Sequence, residues 1–484
     1  MTTSAEENSA ASAALFQNMA NVSLAQSATV TYAIAATPAS NQTIQSPQKL
    51  RRRGSANLGA PTAQVRLVED SQGLLHWDYE STHAERGLTT TGIRGSSARG
   101  QYRASQKAGS VVASTTVAEI GVNKVNAALE GLDRLLTPRQ GLRQYADGIL
   151  REDYVAQQGL KLASRILLFI HGTFSKGDMY FEEFAATTHG LDFLKAIEKK
   201  YSHVVSFDHP TLHVSPVLNA IDLEFALSQA ELDSSTPIDV ICHSRGGLVA
   251  SWWLRTTKFK VERMVAVASP LQGTSLASPY RIRYLLDYFA NFSKVISMGL
   301  ASAAAVPSFA SSLMMGASGL AGVLGGVTGA FSATPFADAA IGLVPGLNSM
   351  SRVSNNGELN RLWNTPSRSL ASVKTFVITS DYAPAVGTEA LTLWERIRKM
   401  PWQVAHNVSE KLFPGSNDMV VDTSSMYVPS SSLVTPTGLQ VLKDDRFEFQ
   451  REHAVHHCNY FAHERTVDRL TTWFELAEGE SNGA

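Results

Sequence analysis

The chain has 484 residues, 44% of them hydrophobic, which is ample for a large buried core and, by length, for two or three domains. Its 42 Lys and Arg against 43 Asp and Glu leave a net charge of −1, which gives no reason to expect nucleic acid or a general attraction to anionic membranes. Two cysteines exclude a disulfide scaffold. Residues 1–60 are rich in Ala, Ser, Thr, Gln and Asn and read as a disordered, low-complexity N-terminal arm, with Lys49-Leu50-Arg51-Arg52-Arg53 near its end. Glu6 and Glu7 stand where a secretion signal carries positive charge, and no long apolar core follows. A cytoplasmic protein is expected, or one exported without a cleaved signal. Residues 61–160 form an N-terminal extension with no assigned role. Within it Val65–Val68 and Leu74–Tyr79 predict a short hairpin, and Val117–Leu136 an amphipathic helix with Leu129, Leu132, Leu135 and Leu136 near helical spacing.

From Arg165 the pattern changes. Arg165-Ile166-Leu167-Leu168-Phe169-Ile170 is a continuous apolar run, as a parallel strand buried on both faces requires, and it ends in His171-Gly172-Thr173-Phe174. Gly172 permits a tight loop, His171 suits a structural role in holding it, and the N–H of Thr173 or Phe174 is placed to meet an oxyanion. His203–Pro210 is a second strand-like run, and it would lie between the His-Gly strand and the next one. That next strand, Ile238–Ile241, stops at Cys242-His243-Ser244-Arg245-Gly246-Gly247, a serine between an apolar strand and a helix-like segment. Such a turn lifts the hydroxyl clear of its own backbone and aims the following N–H, that of Arg245, at the same oxyanion position. Val261–Pro270 is a further strand, followed by Leu271-Gln272-Gly273-Thr274-Ser275.

With its His-Gly turn, its Cys242-x-Ser244-x-Gly246 elbow and the turn from Ser269-Pro270 to Gly273-Thr274, the chain resembles the lipase-like branch of the α/β-hydrolase superfamily over roughly residues 160–476. The resemblance implies a mostly parallel, doubly wound sheet with an inserted helical cap or lid. The hydrolase domain is expected over 161–476, the insertion at about 276–370, and a flexible tail over 477–484. From Val295 to Ala337 the insertion has no charged residue, and small residues recur at three- and four-residue spacing. It fits a buried cap, or a lid whose apolar face covers an acyl-chain pocket and opens at a lipid surface; length alone admits a transmembrane hairpin, against which Pro307 and the many Ser and Gly weigh. Leu343–Trp363 resembles the segment leading such chains back to the sheet.

The resemblance also implies the order nucleophile, acid, histidine. Asp418, in Gly415-Ser416-Asn417-Asp418-Met419-Val420-Val421, matches the acid motif; Asp381, ending the run Thr375–Ser380, is the other candidate. The histidine comes from His453-Ala454-Val455-His456-His457, with His457 favoured on spacing and His456 next; His453 and His463 suit surface or helix-cap positions. No Cys, His or Asp spacing completes a zinc set, and no metal or cofactor is expected. The expected activity is cleavage of carboxylic esters, lipid or other acyl esters, by Ser244, His457 and Asp418 through an acyl-enzyme, with Thr173 and Arg245 as oxyanion donors. The competing reading is a non-catalytic or membrane-interacting effector on a hydrolase scaffold, working through residues 295–337.

Overall fold

The computed structural model describes residues 3–36, 62–71, 73–81, 109–151, 159–277, 282–299, 307–330, 344–352, 356–365, 367–382, 415–427, 439 and 441–476. In chain order, helix α1 (Thr3–Ala36) precedes strands β1 (Thr62–Glu69), β2 (Leu75–Ser81) and β3 (Ser110–Ala118) and helix α2 (Val125–Leu136). A hairpin of β4 (Gly141–Ala146) and β5 (Ile149–Arg151) leads to β6 (Ile166–Ile170), α3 (Gly177–Ala185), α4 (Thr188–Lys200) and β7 (His203–Asp208). Next come α5 (Pro216–Gln229), β8 (Ile238–His243), α6 (Gly246–Thr256) and β9 (Val261–Val267). Helices α7 (Ile282–Gly299) and α8 (Pro307–Ala330) are followed by β10 (Lys374–Ser380), β11 (Arg446–Phe449) and a closing helix α9 (Glu464–Trp473).

Eight strands form one sheet in the order β11-β10-β9-β8-β6-β7-β4-β5. Neighbours from β11 to β7 are parallel, and β4 alone runs against them, antiparallel to both β7 and β5. Every residue of β6 and β8 is buried. The unbroken apolar run of β6 requires this of a strand covered by helices on both faces, and in β8 the buried Asp239 accepts from Arg165 (2.9 Å) and the Tyr201 hydroxyl (2.8 Å). The run at 203–208 lies between β6 and β8 in the chain but on the far side of β6 in the sheet, so β6 and β8 pair directly. The loops after β6 and β8 therefore leave the sheet side by side.

The sheet begins earlier than residue 161. The hairpin β4–β5 belongs to it, turning at Asp147-Gly148 with φ of 52° and 82°, the left-handed pair a two-residue hairpin needs. These short edge strands carry no apolar run to announce them. Arg143 of β4, which reads as a surface charge, is buried and donates to Asp178 (2.6 Å) and Asp208 (2.9 Å).

A second layer stands over the sheet's C-terminal side. β1, β2 and β3 form an antiparallel sheet in the order β2-β1-β3, the first two being the expected hairpin. The helix expected over 117–136 is shorter, because Ser110–Ala118 is strand β3 and only Val125–Leu136 is helical. Helices α7 and α8 pack together and against this sheet.

The N-terminal arm needs correction: residues 3–36 are helix α1, packed on α8 and β3, while 37–60, with the Arg cluster, lie outside the described residues, as does the tail 477–484. Phe16, Ala20, Leu24 and Ala28 are buried at four-residue spacing, beside buried Ser23, Ser27 and Thr31. Ser27 Oγ donates to the Ser23 carbonyl (3.0 Å) and Thr31 Oγ1 to that of Ala28 (2.9 Å), so the hydroxyls enter the interior already satisfied. Lys124 Nζ donates to the Ile34 carbonyl at the helix end (2.9 Å).

Helix α8 explains the charge-free run, because it is enclosed on several sides at once. A Cβ at Gly322 would lie 3.1 Å from Ser27 Cβ of α1, at Gly319 2.6 Å from Leu132 of α2, and at Gly325 2.4 Å from Val65 of β1. By length and composition alone Ser308–Val327 qualifies as a membrane span, yet 83% of it is buried inside the protein. Gly325→Leu is expected to destabilise the protein by about 1–3 kcal/mol, because well-packed Val65 must move; urea unfolding checks this.

Candidate active site

Ser244 sits on the turn between β8 and α6 with φ of 51°, a left-handed conformation uncommon for a residue with a Cβ. The turn is held by Ser244 N–H donating to the Val267 carbonyl (2.9 Å) and Gly247 N–H to that of Ser244 (3.0 Å). Two glycines let the chain pass so closely. A Cβ at Gly246 would meet the Ile170 carbonyl oxygen at 2.2 Å, and one at Gly172 would meet Ser244 Cβ at 2.6 Å. The loop after β6 thus lies against the serine. Cys242, where such elbows carry glycine, points into the core, and burial pushes its thiol up to about 12; it and buried Cys458 are both free.

The loop after β6 holds Thr173 and Phe174. Phe174 N–H donates to Thr211 Oγ1 (3.4 Å), whereas neither Thr173 N–H nor Arg245 N–H has an acceptor among the described residues. The Arg245 side chain is buried and donates to the Val214 carbonyl (2.5 Å) and to Asn219 Oδ1 (2.8 Å). His171 anchors the loop: its Nε2 accepts from the His209 N–H (2.9 Å), leaving Nδ1–H to donate to the Gly172 carbonyl (2.9 Å). Burial lowers its pKa, in keeping with the neutral ring this requires.

Asp418 and His457 meet. His457 Nδ1 lies 2.8 Å from Asp418 Oδ2, which also accepts from the Tyr460 hydroxyl (3.1 Å), while Oδ1 accepts from the N–H groups of Val420 (3.0 Å) and Val421 (2.8 Å). The carboxylate is fully buried with four donors, as a buried anion must be. An acceptor at Nδ1 fixes the proton there and leaves Nε2 with its lone pair. The other candidates go elsewhere. Asp381 pairs with Arg451 (2.8 Å). His456 packs by Phe292 and Tyr382, and burial pushes it down to about 3. His463 caps α9, accepting from Arg465 N–H (3.2 Å).

The ring of His243, next to Ser244 in the chain, has its centroid 4.7 Å from that of His457, so the elbow and the histidine loop adjoin. Ser244 Oγ has no hydrogen bond to His457 among the described contacts, a looseness common in unliganded sites. Tyr460, Tyr180, His243 and Glu183 also support these loops, and no sequence motif marks them. The second layer roofs the site. Phe289 of α7 packs edge-on against Phe174 (5.3 Å), Phe309 of α8 against Tyr180 (6.0 Å), and the Tyr288 hydroxyl donates to the Met419 carbonyl. Ser244 is only 5% exposed.

A doubly wound, mostly parallel eight-stranded sheet, reversed only at β4 beside one edge and carrying a serine on the turn after β8, has the α/β-hydrolase fold. Residues 138–475 match the family model described as a domain of unknown function (DUF7379), and the chain belongs to that family. The match starts just before β4, in agreement with the sheet. No curated protein matches the sequence. Among solved structures the chain is similar to mature Bacillus licheniformis lipase BlEst2, at 13% identity and a TM-score of 0.36 over 66% of this chain and 94% of that one. It is also similar to lipase 1 from Pelosinus fermentans (11%, 0.37, 65% and 98%) and to olei00960, a hydrolase from Oleispira antarctica (11%, 0.30, 67% and 97%). At scores this low the strand order, not the likeness, carries the fold.

Proposed function

We propose that the protein is a serine hydrolase of carboxylic esters. The observation that carries this reading is a left-handed Ser244 on an elbow adjoining the Asp418–His457 pair. Ser244 Oγ attacks the ester carbonyl carbon while His457 Nε2 takes its proton. The carbonyl oxygen, now an anion, is held by the N–H groups of Thr173 and Arg245, each such donor contributing about 3 kcal/mol to the transition state. The carbon–oxygen bond to the alcohol breaks, His457 returns the proton to that oxygen, and an acyl-Ser244 remains. Water, deprotonated by His457, attacks the acyl carbon, and Ser244 leaves with its proton. Asp418 holds the Nδ1–H tautomer throughout.

The roof supplies aromatic side chains from α7 and α8, which favours an apolar acyl group. Because Ser244 is almost fully covered, substrate entry requires the roof to move, and a lipid surface is the setting in which its apolar face would be stabilised. The test is labelling with a fluorophosphonate, in detergent and without it, with the modified residue read by mass spectrometry. Labelling confined to Ser244, and a loss of esterase turnover of about 10⁵-fold or more in Ser244→Ala, are expected. A Ser244→Ala variant with wild-type turnover would sink the reading.

A further inference from the structure

Three loops supply the proposed chemistry, and a buried pair of side chains ties them together. His243, the residue before Ser244, is 4% exposed. Its Nε2 lies 3.1 Å from the carbonyl oxygen of His457, and its Nδ1 lies 3.2 Å from the hydroxyl of Tyr180 on α3. The Tyr180 oxygen in turn accepts from the Gly172 N–H (3.0 Å) in the loop after β6; beside it Ser175 Oγ donates to the Gly172 carbonyl (2.9 Å).

The direction of each link from the Gly172 N–H to the His457 carbonyl is determined. A carbonyl only accepts, so His243 Nε2 carries the proton. Burial lowers the pKa of His243 well below its ordinary value, so the ring is neutral and Nδ1 is an acceptor. Tyr180 must therefore donate to Nδ1, and its oxygen lone pairs are left for the Gly172 N–H. The chain runs from Gly172 N–H through Tyr180 O–H and His243 to the carbonyl of His457, without a branch that reverses it.

The far end of this chain is also fixed. His457 N–H donates to the Asp418 carbonyl (3.0 Å), so the peptide groups on both sides of the His457 Cα are held, one by Asp418 and one by His243. The ring has the Asp418 carboxylate at Nδ1, and His243 packs beside it with centroids 4.7 Å apart. With backbone and Nδ1 both held, the position of Nε2 relative to Ser244 is set by bonds that include the neighbour of Ser244 itself.

We propose that Tyr180 and His243 are positioning residues that lock the oxyanion loop, the nucleophile turn and the histidine loop into one register. This rests on the serine-hydrolase reading above. Neither side chain touches the reacting atoms; each acts through the backbone of Gly172 or His457. Misplacement of a base by about 1 Å is enough to lower turnover about 100-fold.

The test compares the full-length wild type with Tyr180→Phe, His243→Phe and the double variant, using p-nitrophenyl esters for kcat and KM and a fluorophosphonate for the labelling rate of Ser244. Thermal unfolding is followed in parallel. Expected are kcat losses of about 30- to 100-fold in each single variant, KM within about threefold, and a double variant no worse than the poorer single one, because one chain is cut twice. His243→Gln, which can restore a donor to the His457 carbonyl, is expected to recover part of the loss. Tyr180→Phe removes a single oxygen, so it tests the link even where His243→Phe fails to fold. Variants labelled at the wild-type rate, beside a labelled wild type, overturn the positioning role alone. Losses that track thermal stability, with no recovery in His243→Gln, reduce the pair to a structural role and overturn it too. A wild type that no fluorophosphonate labels, and that cleaves no ester, overturns both the hydrolase reading and the proposal built on it.

Discussion

Replacing Asp418 by Asn is expected to lower kcat about 10⁴-fold while leaving the fold in place. The reason lies in how the carboxylate is seated. Its Oδ1 accepts from the Val420 and Val421 N–H groups, so an Asn keeps its carbonyl oxygen in that seat. Its NH₂ then occupies the position of Oδ2 and faces His457 Nδ1 and the Tyr460 hydroxyl. A donor opposite Nδ1 is satisfied only if Nδ1 becomes the acceptor, which moves the imidazole proton to Nε2, the atom that takes the proton of Ser244 in the proposed mechanism. Tyr460 turns its hydroxyl hydrogen away and accepts the other N–H, so little geometry is lost. Asp381→Asn is the control. Its carboxylate pairs with the half-exposed Arg451, an interaction of little worth, and turnover is expected to stay within about threefold of wild type. Steady-state kinetics and the labelling rate of Ser244 in both variants decide the matter, and the opposite ranking would transfer the acid's role to Asp381.

The residues of this site differ in how far they could be read from the sequence, and the difference is physical. A serine forced onto a tight elbow needs an apolar strand before it and minimal side chains around it, and Ile238–Ile241 with Gly246 and Gly247 meets both demands within ten residues. Asp418 and His457 were readable through their neighbours, the Asn417 and Val420-Val421 around one and the closing helix after the other. Tyr180, His243 and Glu183 had no such signal, because a buried tyrosine, histidine or glutamate that serves a backbone group needs only to be in reach across the fold. The second layer was hidden for another reason. Helix α1 joins it through Ala and Ser, whose small volume lets backbones approach but looks like low complexity when large apolar residues are sought. The charge-free run of α8 is the complementary surface, and neither half identifies the other until they are packed. Strand β4 was masked by Arg143, which looks solvated until Asp178 and Asp208 are brought to it.

The stability of the protein is expected to respond to pH through one carboxyl outside the Asp418–His457 pair, and Glu183→Gln isolates it. Glu183 lies on α3, fully buried, with Oε1 accepting from the N–H groups of Phe461 (2.9 Å) and Ala462 (3.1 Å) just beyond His457. Burial pushes its carboxyl up to about 8 from an ordinary 4.5, and those two hydrogen bonds offset only part of the effect. Below the ordinary value both folded and unfolded chains hold the proton, and nothing is lost. As pH rises between the two values the unfolded chain releases a proton that the folded one keeps, so this group's contribution falls, and it levels off above about 8. The full span is on the order of 5 kcal/mol. Gln keeps the carbonyl oxygen for both N–H groups and cannot ionise, but its NH₂ goes without an assured acceptor. The variant is therefore expected to be less stable than wild type by about 1 kcal/mol near pH 5 and more stable by several kcal/mol near pH 8.5. All other titrating groups are common to the two proteins and drop out of the difference, which urea unfolding measures directly. A difference that stays constant across this range would mean that Glu183 ionises as freely inside the fold as in the unfolded chain, and that the segment behind His457 is not held by a neutral carboxyl.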